Sequence, residues 1–180
     1  MRQWISLCAV AIVLAGCSSS GGKTVKVQAH NMQNTLQPGQ SVHLRAAAAG
    51  YVPAVGDIVE FKMPAGWDSS QRDAISRIIA TGGQTVRGAA DKVQVSTDNG
   101  HTYRTLAEPY VLLDGIDTYP NFGPVTVPPG RLWLMGDHRN ESADSRWHCG
   151  PSGNQSDPTA ACDPMESTVP ASGVEAYRRG

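Results

Sequence analysis

The sequence is short of several things, and each shortage removes a class of protein. It has no run of lysines and arginines and a net charge of −1, so nucleic acid is not an expected partner. It has no uninterrupted apolar stretch of the ~20 residues that a bilayer-spanning helix needs. Cysteine is scarce, at four residues, and the only histidine next to a cysteine is His148 beside Cys149. That pair and Cys162 do not make a zinc-ligand spacing, so no metal and no cofactor is expected. Long helical periodicities are few, whereas 19 glycines and 12 prolines supply many turns. A mostly β domain follows. A length of 180 residues suits one domain with a small appendage, and 40% hydrophobic residues can build its core.

The N-terminus reads as a targeting segment. Arg2 gives the positive start and Trp4 to Val13 the apolar centre, and Leu14-Ala15-Gly16-Cys17 then matches the lipobox of bacterial lipoproteins. On this reading residues 1–16 are a signal peptide, and Cys17 is the first mature residue and carries the lipid. Residues 17–23 are a tether, with Ser18-Ser19-Ser20-Gly21-Gly22 too polar and flexible for a stop-transfer flank. Acyl chains worth ~0.8 kcal/mol per buried CH₂ would hold the protein on the extracytoplasmic face of a membrane. Cys8 leaves with the signal peptide. Cys149 and Cys162 then face an oxidising compartment, which favours a disulfide over metal binding. The intervening segment is rich in Pro, Ser, Gly and Asn, and a bridge across it would contribute ~3 kcal/mol in the chain-entropy account.

The densest polar stretch runs from Gly136 to Arg146, after the apolar run Leu132-Trp133-Leu134-Met135, which predicts a buried strand with a turn at Gly136-Asp137. Gly136, Asp137, Arg139, Ser142, Asp144, Ser145 and Arg146 resemble the Gly-Asp-Asn-Arg-x-x-Ser-x-Asp-Ser-Arg signature of type I signal peptidases, with His138 in place of the Asn. The resemblance implies that this loop supports the active site: Asp144 and Arg146 brace the fold, and Ser142 would contact a catalytic lysine. It covers about residues 24 to 175. It implies an antiparallel β fold for residues 24–180, with a small β cap inserted at about 88–122.

Earlier in the chain, Thr24 to Gln28 and Ser41 to Leu44 alternate as strands around a Gln37-Pro38-Gly39-Gln40 turn. Between them, Met32, Thr35 and Leu36, with Gly39 shortly after, match the family's Ser-x-Ser-Met-x-Pro-Thr-Leu stretch, but the positions that carry chemistry do not. The nucleophilic serine is replaced by Asn31, whose amide lone pair is delocalised and cannot attack a carbonyl. The serine that helps hold the oxyanion is replaced by Ala29, and the proline by Asn34. Gly56-Asp57-Ile58-Val59-Glu60-Phe61 resembles a further family strand. In Ile75-Ser76-Arg77-Ile78, Arg77 matches, but Ser76 stands where the general-base lysine belongs, and a hydroxyl is no base near neutral pH. Ser76 is expected to join Asn31 or Ser142 in a polar cluster filling the old site.

Asp91 to Val95 and His101 to Tyr103 read as a hairpin around Asn99-Gly100, closed by Glu108-Pro109-Tyr110-Val111. The prolines around Phe122-Gly123-Pro124 suggest an edge strand. Thr168-Val169-Pro170 and Val174 resemble the family's closing segment, whose last strand is expected to be incomplete at Gly180.

With nucleophile, base and oxyanion hydroxyl replaced together, the leading expectation is a lipid-anchored, catalytically inactive relative. Such a chain would bind an extended exported peptide or an envelope partner in a groove lined by Met32, Ile75 and Ile78. Two alternatives stand beside it. One is an active serine endopeptidase for signal peptides with a different constellation: His30, His43, His138 or His148 as base and Ser142 or Ser145 as nucleophile. The other is a purely structural envelope lipoprotein.

Overall fold

The computed structural model describes residues 21–89, 92–115, 121–149 and 161–180. The signal peptide, Cys8, Cys17 and most of the tether lie outside them. Among the described residues no helix is long and apolar enough to cross a membrane.

Among the described residues the regular structure is almost entirely antiparallel β. Its strands are β1 (Gly22–Lys26), β2 (Ser41–Ala46), β3 (Ile58–Lys62), β4 (Asp73–Thr81), β5 (Thr85–Ala89), β6 (Lys92–Ser96), β7 (Arg104–Thr105), β8 (Phe122–Thr126), β9 (Arg131–Met135), β10 (Val169–Pro170) and β11 (Val174–Arg178). Seven of them form one sheet in the order β1-β2-β11-β3-β4-β9-β10, and the other four form a second in the order β7-β6-β5-β8. The second sheet is the expected cap, but its strands start at Thr85 and end at Thr126, wider than 88–122.

Residue pattern explains which strands lie inside. In β2, Val42 and Leu44 are buried and Ser41, His43 and Arg45 exposed, the period-2 signature of a strand with one wet face. In β3 and β9 nearly every residue is buried, because both faces are covered. Alternation divides β9 between two cores. Leu132 and Leu134 pack with Val59, Phe61, Ile78 and Val174. Trp133 and Met135 turn to the other face and meet cap residues Val86, Val93, Val95 and Phe122. A third cluster, with Met32, Leu36, Val42, Leu44 and Ile58, sits under the turn that follows β1.

Three local expectations change. The second strand of the predicted hairpin is Arg104–Thr105, not His101 to Tyr103. Asp98 captures the Ser96 and Thr102 hydroxyls and the Thr102 amide, which folds the intervening residues into a loop. Asn99 and Gly100 still take the left-handed conformation the Asn-Gly signal calls for. Glu108 to Val111 does not close that hairpin but docks on the Gly136–Arg146 loop. The closing strand β11 is formed, and it sits between β2 and β3 inside the large sheet. The edge position of the proline-bearing strand is as expected, since among the described residues β8 pairs only with β5.

Candidate functional site

The signature loop is a buried ion-pair scaffold. Asp144 and Arg146 are almost completely buried and face each other. The guanidinium donates from Nε to Oδ1 and from Nη2 to Oδ2, both at 2.9 Å, and Nη2 also reaches the Arg139 carbonyl. The Gly136 and Arg146 amides donate to the same carboxylate. Burial alone would raise the Asp144 pKa, but the Arg146 charge and these hydrogen bonds, with the Ser142 hydroxyl, hold it below the usual carboxylate range. Ser142 therefore serves Asp144. Ser145 accepts the Leu134 amide at 2.9 Å and ties the loop back to β9.

Asp137 makes the second pair. Its carboxylate accepts Arg77 Nε at 2.8 Å and Nη2 at 2.6 Å, and the Thr35 hydroxyl donates to it as well. Arg77 Nη1 also reaches the Gly56 carbonyl, and its guanidinium lies 3.8 Å over the Tyr110 ring. One acid thus fastens β4, the turn after β1 and the signature loop. Gly136 is required by close approach: a Cβ there would lie 2.4 Å from Ser142 Oγ and 2.5 Å from the Asn31 carbonyl.

Sequence reasoning missed a strap over this loop. Arg139 pairs with Glu108 at 2.6 Å, Leu112 exchanges backbone hydrogen bonds with Asp137 and Arg139, and His138 Nε2 meets Asp114 at 2.8 Å. Glu108, Tyr110 and Asp114 lie 20 or more residues from their partners. No local spacing announces them; the only available signal was an acid beside Pro109 in an otherwise apolar string.

Asn31 and Ser76 do not share a hydrogen bond. The Asn31 carboxamide donates to the Ile75 carbonyl at 2.8 Å, one residue short of Ser76. Ser76 is buried opposite Val59 in β4, and among the described residues no hydrogen bond links its hydroxyl to Asn31 or Ser142. The expected polar cluster around Ser76 is therefore absent. Across the ladder Ile75 faces Glu60 and Ser76 faces Val59.

A groove of about 930 Å³ lies where the large sheet curls and brings two unpaired edges together. One wall is β1 and its continuation, from Lys23 to Ala29, with Asn31; the other is Asp73, Ala74 and Ile75. Among the described residues β1 pairs only with β2, and the first half of β4 pairs only with β3, since β9 joins at Arg77. Glu60, nearly buried, faces the groove with Lys23 at 2.6 Å. Ile75 lines the groove, and Ala29 is exposed along it. Met32 and Ile78 do not line it: both are fully buried, Met32 beneath the turn and Ile78 against Leu132 and Leu134. Both are large apolar side chains, and close-packed cores claim such residues first.

None of the candidate histidine bases meets a serine among the described residues. His30 contacts Gln33, His138 contacts Asp114, and His148 stacks on Trp67 at 4.2 Å. His43 lies 3.5 Å from the Thr24 hydroxyl in an exposed pair, at the limit of a hydrogen bond. No group of three or more metal-ligating side chains occurs among the described residues. Cys149 and Cys162 lie 4.3 Å apart at Cα with their sulfurs at bonding distance.

His148 yields a pH prediction. Burial against Trp67 lowers its pKa from 6.5 to about 4, with the Asp144 charge opposing weakly. The folded state then binds its proton less readily than the unfolded chain. This contribution is in place above about pH 6.5 and is lost as pH falls towards 4. The urea midpoint should drop between pH 7 and pH 5, and His148→Phe should flatten that dependence. An unchanged slope in the variant would remove His148 as the cause.

A family model described as signal peptidase, peptidase S26 matches residues 1–157, and the chain belongs to that family. Among its curated relatives, signal peptidase I of Mycobacterium tuberculosis is 34% identical over 161 residues, covering 68% of this chain and 49% of the relative. The probable signal peptidase I of Mycobacterium leprae is 34% identical over 159 residues, covering 68% and 53%. Signal peptidase I of Bacillus amyloliquefaciens is 31% identical over 129 residues, covering 67% and 61%. The chain spans about half the length of the mycobacterial relatives it matches. Among solved structures, a signal peptidase I from Enterococcus faecalis is similar at 20% identity and a TM-score of 0.49, over 71% of this chain and 97% of that one.

Proposed function

We propose that this chain is a lipid-anchored, catalytically inactive member of the S26 family that binds an extended exported peptide, or an extended segment of an envelope partner, between β1 and β4. The observation that carries the reading is the Asn31 carboxamide bonded to the Ile75 carbonyl on an open strand edge. The family's serine is thereby replaced by a carboxamide that is engaged by the chain's own backbone and cannot attack a substrate carbonyl. Two facing edges offer main-chain hydrogen bonds to an added strand, and such pairing gives affinity without catalysis. A peptide would take the groove in extended form, with the small side chains near Ala29 and Ala74 leaving room for its own.

The rest of the reading concerns placement. Lipidation at Cys17 would hold the domain on the extracytoplasmic side of a membrane, where a disulfide between Cys149 and Cys162 persists. Intact-mass measurement of the purified membrane form checks both, as an acyl addition at Cys17 and a two-hydrogen deficit.

The functional test uses the full chain with fluorescent peptides copied from signal-peptide cleavage regions. Saturable binding is expected without cleavage, together with no labelling by a serine-directed acylating probe. Labelling of any serine would establish the rival reading, an endopeptidase with another constellation. Absence of binding to any extended peptide would leave the groove without a ligand and defeat the proposal.

A further inference from the structure

Up to its last residue β3 is apolar except at Glu60. Ile58, Val59 and Phe61 pack into the cores, whereas Glu60, only 4% exposed, lines the groove. Across the two ladders it stands opposite Ile75 of β4 and Ala176 of β11, so its partners in the sheet are apolar. A carboxylate removed from water in such surroundings is costly unless a cation accompanies it. Of the charged side chains that line the groove, Glu60 alone is buried. Lys26, Arg72, Asp73 and Glu141 are exposed.

The cation that Glu60 has is a shared one. Lys23 Nζ lies 2.6 Å from Glu60 Oε2 and 3.1 Å from Glu175 Oε2. Glu60 Oε2 accepts no hydrogen bond among the described residues, so its acceptor capacity is left open. The Lys23 side chain is partly exposed and comes from β1, the wall opposite β4. Glu175 is exposed, and Lys23 can leave Glu60 for it without losing an ionic partner. A second cation entering the groove therefore meets a buried acid whose present partner has somewhere else to go. Val25, Ala74 and Ile75 beside it offer apolar surface to the carbon stem of a long basic side chain.

We propose that Glu60 makes the groove selective for a peptide with a lysine or arginine side chain over its floor, the ligand's cation taking the place of Lys23 Nζ while Lys23 passes to Glu175. The inference rests on the reading that an extended peptide occupies the groove, and it names the class of peptide. An aliphatic side chain of the same length would gain only its own burial there. An acidic one would face Glu60 as a like charge, which is strongly disfavoured in a desolvated site.

The test measures binding of the full chain to short fluorescent peptides of alanine and valine in which one lysine is moved through every position. The same series is made with norleucine and with glutamate. At one position the lysine peptide should bind about tenfold tighter than its norleucine counterpart, and the glutamate peptide weaker than either. Glu60→Gln, similar in size, should bring the ratio of lysine to norleucine binding to about one. Lys23→Ala should widen that ratio by about fivefold, because the ligand then displaces nothing, while the near-ultraviolet spectrum of the fold is kept. Equal binding of lysine and norleucine peptides at every position overturns the inference and leaves the groove reading intact. A lysine preference that Glu60→Gln does not change belongs to another acid, such as Glu141, and overturns it as well. Binding of no peptide in any series defeats the groove reading itself, and this inference with it.

Discussion

Replacing Asn31 by Ser and Ser76 by Lys together is expected to install slow cleavage of a signal-peptide substrate, while either change alone leaves the rate at that of the parent chain. A serine at position 31 supplies the hydroxyl, but near neutral pH it keeps its proton unless a base is at hand. A lysine at position 76 would enter a site that is only 4% exposed, and such desolvation lowers an amine pKa towards the range in which it can accept that proton. The two act as one unit, which is why single changes fail. Losing the nucleophile alone costs ~10⁶ in kcat in a serine hydrolase. The change at 31 also removes the carboxamide from the Ile75 carbonyl and frees that acceptor for an incoming strand. Adding Ala29→Ser should raise the rate by a further ~10²–10³-fold, the usual worth of one oxyanion donor. Chromatographic separation of cut and uncut peptide gives the rates. A parent chain that cuts as fast as the double variant would show that it needs neither residue.

This experiment also probes a feature that could not be read from residue types. The substitutions at 29, 31 and 76 were visible in one sequence because flanking positions such as Met32, Thr35 and Arg77 kept their places. Strand direction was not visible there. Ser76 was expected beside Asn31, yet across the ladder with β3 it faces Val59. Within the Gly136–Arg146 loop the Asp144–Arg146 pair was legible because it is local: the two are two residues apart, and their carboxylate also takes the Gly136 amide. Met32 and Ile78 were misjudged for a related reason. A residue next to a reactive position in sequence is on the opposite face of a strand, or beneath a turn, as often as on the reactive side. The straps from Glu108, Tyr110 and Asp114 depend on chain crossings that periodicity does not encode. The same holds for β11, which enters the sheet between β2 and β3.

Asp137 is where those crossings converge, and Asp137→Ala should be among the most damaging single changes outside the hydrophobic core. The side chain is fully buried and receives both Arg77 nitrogens and the Thr35 hydroxyl. Its removal leaves the Arg77 guanidinium, itself 4% exposed, with only the Gly56 carbonyl and the Tyr110 ring. Breaking a buried pair from one side costs ~3–5 kcal/mol, mostly because the remaining charge is uncompensated. In a domain of this size that corresponds to a fall in melting temperature of about 6–20 °C. The exposed Lys62–Asp73 pair, at 3.8 Å, provides the contrast: Lys62→Ala should move stability by less than about 1 kcal/mol. Replacing both members, with Arg77→Met and Asp137→Leu, should recover part of the loss, because no unpaired charge then remains inside. A double variant as unstable as Asp137→Ala would place the cost in the lost Thr35 bond and the packing of its turn, and not in the stranded guanidinium.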